Sequence, residues 1–181
     1  MNYLDETMEH IWEVGRNIMV FASELKIRGK NHDESKLNEP EASRFAEVTP
    51  LLKESTYGSD KYKGFLKELR PALDHHYANN RHHPEFHQLY ECNGCFKVFE
   101  EIPDHCDVCW YSQFTKKPSI SGMNLIDIIE MFCDWIVAVK RHDGGNIFKS
   151  IEINKKRFAL SDQLADIFIN TAKEVFRESK E

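Results

Sequence analysis

Four of the chain's nine histidines fall in one short stretch, "DHHYANNRHHPEF", as His75, His76, His82 and His83. Imidazole is the commonest protein ligand for transition metals, so a metal centre is the chemistry such crowding permits. A polar surface loop is the plain alternative, and the partners elsewhere in the chain decide between them. Upstream, "NHDESKL" sets His32 beside Asp33, an imidazole and a carboxylate that can share an ion. His10 lies earlier. Downstream, Asp127, Glu130 and Asp134 recur at steps of three and four in an otherwise apolar segment. That spacing puts all three on one helix face. Burying three carboxylates is costly unless they meet cations or donors, and a metal cluster is one way to offset the cost.

A second constellation is made of thiols. Cys92-x-x-Cys95 is followed, ten residues on, by Cys106-x-x-Cys109. Each Cys-x-x-Cys turn offers two thiolates, and a hairpin between the turns brings them together. Four thiolates make a closed tetrahedral zinc site with no open position for chemistry. So small a segment has no core, and a structural Zn2+ supplies much of its folding energy. His105 could substitute as a ligand, although four cysteines suffice. The fifth cysteine, Cys133, sits in an apolar helix pattern.

The elements that must position these groups follow from periodicity. Residues 3–29 predict one long helix, with Leu4, Met8, Ile11, Trp12, Gly15, Ile18, Met19, Ala22 and Leu25 on one stripe. A helix over 40–55 follows, interrupted near Pro50. "TYGSD" predicts a turn with Asp60 as N-cap of a helix over 61–79. From Gln88 to Pro118 the texture changes to short β-like pieces, turns and the four paired cysteines. "SGMNLIDIIEMFCDWIVAVKR" is a strong helix with Ser121 and Asn124 as candidate caps. Residues 144–158 and 161–178 predict two more, the last capped by Ser161 or Asp162. The expected fold is all-α, a helical bundle of residues 1–87 and 119–181 carrying an inserted four-cysteine zinc ribbon at 88–118.

Composition bounds the rest. The chain has 181 residues, 41% hydrophobic and 30% charged, with a formal net charge of -6. The acidic balance argues against a general nucleic-acid or membrane-surface binder. No run of about 18 apolar residues occurs, so no membrane span is expected. The N-terminus lacks a basic stretch followed by an apolar one, so no signal peptide is expected either. Together with paired cysteines that point to metal rather than disulfides, this predicts a cytoplasmic protein.

Taken in order, the His and Asp residues resemble the HD-domain superfamily of metal-dependent phosphohydrolases. The matching residues are His10, His32-Asp33, one of His75 and His76, one of His82 and His83, and Asp134. "CDWIVAVKR" resembles the superfamily's last motif. "HDESKL", "HHYANNRHHPEF" and "GMNLIDIIEMFCDWIVAVKRH" look closer still to a family of small, often phage-encoded, uncharacterised proteins with HDxSK, HHPE and EMxxDW blocks. The ribbon, inserted between the second and third blocks, departs from that pattern, as does Phe86, which stands where the family often has a polar residue.

The superfamily resemblance implies an HD-like bundle. One or two divalent ions (Mn, Fe, Co, Ni or Zn) would activate water against a small phosphorylated substrate, a nucleotide or another phosphate ester. Asp33 would bridge two ions, with His10, His32 and Asp134 as terminal ligands. Asp33, Lys36, Arg81 and Glu130 form the candidate catalytic set, Lys36 and Arg81 as phosphate contacts, with Arg141 a further one. Of the clustered histidines His76 and His82 are favoured. A second His-Asp pair, His142-Asp143, falls before two glycines and outside the ordered series. The alternative is a non-catalytic metal-binding protein whose ribbon docks a partner; a homodimer also stays open.

Overall fold

In a computed structural model, residues 2–55, 59–141 and 145–176 are described. Much of the turn expected at "TYGSD", and the His142-Asp143 pair, lie outside them. Helices dominate, and the expected all-α class needs one correction: the cysteine segment forms a small three-stranded sheet.

The first helix, α1, runs unbroken over Tyr3–Asn31, started by a capping box in which Asn2 and Asp5 exchange side-chain to backbone hydrogen bonds. It ends at His32. Asp33 then takes φ 56°, the left-handed region. Asp tolerates that conformation better than most residues but still at a cost of order 1–3 kcal/mol, held by what surrounds it. A single 3-10 turn, Glu34–Leu37, turns the chain back. α2 spans Glu41–Lys53 and continues through Pro50 for another turn, where an interruption was expected. α3 spans Asp60–Asn79 and is capped by Ser59, whose hydroxyl accepts from the Tyr62 amide; Asp60 is its first residue, not its cap. α4 is Leu125–Lys140, α5 Ile147–Phe158 and α6 Asp162–Val175, capped by Asn124, Asn146 and Ser161.

Two apolar cores form. α2 and α3 pack around Val48, Leu69 and Ala72. α4, α5 and α6 enclose a larger one around Met131, Phe132, Trp135, Ile151 and Phe168. α4 turns its apolar face to that core. Its opposite face carries Asp127, Glu130 and Asp134 towards the C-terminal end of α1, where Arg28 meets Asp127 and Glu130. The long N-terminal part of α1 is different: no residue of α1 is buried, so its predicted stripe does not enter a core.

In the insert, β1 (Gln88–Cys92) is central, flanked antiparallel by β2 (Val98–Phe99) and β3 (Phe114–Pro118). Tyr90 pairs with Phe99 on one side and Lys116 on the other. No helix among the described residues is long and apolar enough to cross a membrane.

Candidate metal centre

Three elements and one loop converge where α1 ends. His32 and Asp33 come from the end of α1, His76 from α3, His82 and His83 from the loop after α3, and Asp134 from α4. Ligating atoms of Asp33, His76, His82 and His83 lie within 4.8 Å of one another, as do those of His32, Asp33 and Asp134. Asp33 belongs to both groups. Its Oδ1 is 3.3 Å from His76 Nε2 and 3.5 Å from His82 Nε2, while its Oδ2 is 3.5 Å from His32 Nε2. His76 Nε2 is 2.8 Å from His83 Nε2, and His32 Nε2 is 3.8 Å from Asp134 Oδ1.

Two carboxylates aim these rings. Glu41, fully buried at the start of α2, accepts from His76 Nδ1 at 2.9 Å, from His75 Nδ1 at 2.7 Å and from the Ser35 hydroxyl. Glu130 accepts from His32 Nδ1 at 2.9 Å and lies 3.1 Å from His82 Nδ1. A ring that donates through Nδ1 presents Nε2 as a lone pair, and carboxylates behind metal-ligating histidines play this part. Three Nε2 atoms are thereby turned towards Asp33. Glu130 is held in turn by Arg28, which lies 2.6 Å from its Oε2, off the line of an N–H bond, and hydrogen-bonds Asp127 Oδ1. Arg81 reaches both oxygens of Asp127 through Nε and Nη2. Asp127 also caps α4 with Asn124, so one buried carboxylate ties α1, α4 and the histidine loop together.

The orphaned atoms say what is missing from the hydrogen-bond count. Asp33 Oδ1 and His82 Nε2 are buried without a hydrogen-bond partner. Such groups cost roughly 1–3 kcal/mol each unless something else satisfies them. A metal ion satisfies both. With bonds near 2.0–2.1 Å, tetrahedral donors stand about 3.3 Å apart, close to the Asp33 spacings. The donor set fits a divalent cation.

Charge agrees. Asp134 and Glu130 push His32 up to about 10, so in the absence of an ion its Nε2 also carries a proton, which a bound cation would displace. Burial and the neighbouring His82 and His76 push His83 down to about 3. Burial and Lys36 also lower His76, so both rings are neutral near pH 7, the form that ligates. Burial raises Asp33, Glu130 and Asp134, but Lys36, the histidines and Arg28 outweigh it and all three stay ionised.

The remaining expected residues are placed as follows. Lys36 sits 2.5 Å from Asp33 Oδ2. Arg81 is committed to Asp127 rather than open to a phosphate. His75 is 41% exposed and pairs with Glu41 outside both donor groups. His10 does not reach the cluster. It is exposed on α1, 22 residues before His32, and at 1.5 Å per residue the two stand roughly 33 Å apart. Cys133 is not a core residue: it is exposed and lines a cavity of about 570 Å³ that opens on His32, Asp33 and Asp134 between Arg28 and Arg141. A second cavity, about 700 Å³, touches His83 and Asp134 beside Tyr77, Lys149 and Arg157. Glu41 escaped the sequence reading; an acid opening a helix looks like ordinary dipole pairing.

The four paired cysteines also come together. Their sulfurs lie within 4.8 Å of one another, with Cys92–Cys109 at 3.5 Å and Cys95–Cys106 at 3.4 Å. The two turns repeat one pattern. Gly94 N–H points at Cys92 Sγ, and Val108 N–H at Cys106 Sγ. Phe96 and Trp110, one residue past each second cysteine, take φ 63° and 58° and donate to the carbonyls of Cys92 and Cys106. A Cβ at Gly94 would stand 3.1 Å from Cys109 Sγ, so glycine lets the turns close. His105 stacks on Trp110 and is not part of the thiol group.

Residues 1–174 match the model of a family described as "Family of unknown function (DUF5662)". The chain belongs to that family. No curated protein and no solved structure matches it.

Proposed function

We propose that this chain is a metal-dependent phosphohydrolase acting on a nucleotide or another small phosphate ester. The observation that carries the reading is Asp33: its two oxygens face two different sets of donors, His76, His82 and His83 on one side, His32 and Asp134 on the other. A bridging carboxylate between paired ions is what the HD-like resemblance implies, and the order His32-Asp33, His76, His82, Asp134 agrees with it. The histidine that the resemblance sought at His10 is supplied instead by the crowded 76–83 segment.

A divalent ion, when bound, supplies Lewis-acid activation of water and neutralises phosphoryl oxygens. The chain's own residues do the rest. Glu41 and Glu130 hold the rings by Nδ1. Arg141 puts positive charge on the cavity wall, where a phosphate dianion would rest, while Arg28 is taken up by Asp127 and Glu130. Lys36 balances Asp33. The apolar wall of Leu25, Ile129 and Val137 excludes water from the bound ester. The four-cysteine group is read as a closed structural zinc site.

The test is element-resolved metal content and phosphate release for wild type and Asp33→Ala. The expected result is one ribbon ion plus at least one further ion in wild type, with only the latter lost in the variant. Turnover of nucleotides and of p-nitrophenyl phosphate then falls at least 100-fold. Retained turnover in Asp33→Ala overturns the reading.

One observation favours a second reading, a non-catalytic protein whose ribbon docks a partner. Phe96, Val108 and Trp110 are 70%, 63% and 74% exposed at the cysteine turns. Deleting residues 89–117 separates the two: hydrolysis that survives makes the ribbon accessory, whereas loss of partner binding alone favours docking.

A further inference from the structure

We propose that α1 pairs antiparallel with α1 of a second copy of this chain, an interface independent of the metal chemistry. α1 is held to its own chain at its C-terminal end, through Arg28, but none of its 29 residues is buried and its N-terminal part takes no apolar packing from either core. Most helical stability in proteins comes from packing an apolar face. α1 has that face. Leu4, Ile11, Ile18 and Leu25 recur at seven-residue steps, and the first three are 70%, 58% and 61% exposed. The interleaved heptad positions are Met8, Gly15, Ala22 and Gly29, so the stripe follows a coiled-coil repeat over four heptads.

The small residues add a second argument. Gly15 and Gly29 have nothing within 4 Å of where a Cβ would stand. Glycine in a helix interior is less stable than alanine, and nothing within the chain needs it at Gly15. A close-packed neighbouring helix does. Beside it, Trp12, Met19, Val20, Phe21, Ile27 and Ile126 wall an apolar groove of about 980 Å³. On the stripe's own side, Met8, Ile11, Ile18 and Met19 are 66%, 58%, 61% and 64% exposed, a continuous apolar surface around Gly15.

Charge selects the occupant and its direction. Between residues 3 and 13 α1 carries Asp5, Glu6, Glu9 and Glu13 and neither Lys nor Arg. Between 16 and 30 it carries Arg16, Lys26, Arg28 and Lys30 against Glu24 alone. A parallel pair sets acid on acid. An antiparallel pair sets the acidic half of each copy along the basic half of the other, satisfying the self-complementarity a two-fold interface requires. Arg28 is engaged with Asp127 and Glu130, which leaves the exposed Lys26 and Lys30 for the partner's acids.

The experiment combines sedimentation equilibrium with zero-length carbodiimide cross-linking of the full chain. Wild type is expected to be a dimer at micromolar concentration. The Ile11→Glu, Ile18→Glu double variant is expected to weaken it at least 100-fold, with helicity and ribbon metal content unchanged. Cross-links should join Lys26 to Asp5, each one residue past a position of the stripe and so at its flank. Within one straight helix those groups stand roughly 25 Å or more apart, so such links arise only between copies. A monomeric wild type overturns the proposal, as does a dimer that the double variant leaves intact. A dimer without those cross-links overturns the antiparallel arrangement, and the links remain diagnostic should the double variant fail to fold.

Discussion

The two metal-type clusters of this molecule are built in opposite ways. The four thiols lie within 18 consecutive residues, on two turns that repeat the same backbone hydrogen bonds. The His and Asp donors span His32 to Asp134 and arrive from α1, α3, a loop and α4. In the first, backbone N–H groups already face the sulfurs. In the second, Asp33 Oδ1 and His82 Nε2 are buried with no hydrogen-bond partner, and the aiming is done by carboxylates remote in sequence. Local geometry suffices for a closed site, whereas a site reached by cavities depends on the whole fold.

The largest expected effect tests the independence of the two. Cys92→Ser should remove the ribbon ion and unfold residues 88–118, because structural zinc in small modules contributes about 10–16 kcal/mol. Metal content at the His/Asp centre should stay within about twofold of wild type, as read by elemental analysis alongside amide exchange of the ribbon. Coupled loss of both ions would break the comparison.

Next come the aiming carboxylates. Glu41→Gln keeps shape but weakens the hold on His76, and Glu130→Gln does the same for His32 and His82. Each should lower metal affinity at the His/Asp centre by roughly 10–100-fold, the usual cost of losing such a support, and leave the ribbon unchanged. Competition with a chromogenic chelator measures both.

A smaller effect concerns protons. In protein stripped by chelator, His32 is held protonated up to about 10 by Asp134 and Glu130, while His83, at about 3, and the lowered His76 are neutral. Loading the His/Asp centre near pH 7 should displace the His32 proton, so affinity rises with pH up to about 10 and falls on acidification. The ribbon differs. Cys106 is near 7, with burial opposed by backbone N–H groups, and Cys109 is pushed up to about 12 by burial and its neighbouring thiols. Cys95, also raised, and Cys109 should therefore give up at least two protons when the four thiols close on an ion at pH 7. Titration calorimetry in buffers of different ionisation enthalpy counts them.

The smallest effect sharpens the ligand set. His10→Ala and His75→Ala should each change metal affinity less than about threefold, since one is remote and the other faces Glu41 away from Asp33; the same chelator competition reads this.

Much of this molecule was legible in residue order. The helices followed from apolar periodicity, and two of their caps, Asn124 and Ser161, were among the candidates, whereas Asn2, Ser59 and Asn146 were not. The ribbon followed from its spacing, because a Cys-x-x-Cys turn is a local object. Asp33 as the shared carboxylate, with His32, His76, His82 and Asp134, followed from the ordered series. What tertiary structure alone decided was which charged groups stand behind those residues. Glu41 and Arg28 act through partners 35 and about 100 positions away, and no local spacing encodes such a contact. Exposure was also beyond the sequence: an apolar stripe states that a helix can pack, not that its own chain supplies the partner, and the stripe of α1 lies outside both cores. His10 shows the limit from the other side. An unbroken helix from Tyr3 to Asn31 has a fixed rise, and that rise alone carries His10 away from the ion that its place in the series assigned to it.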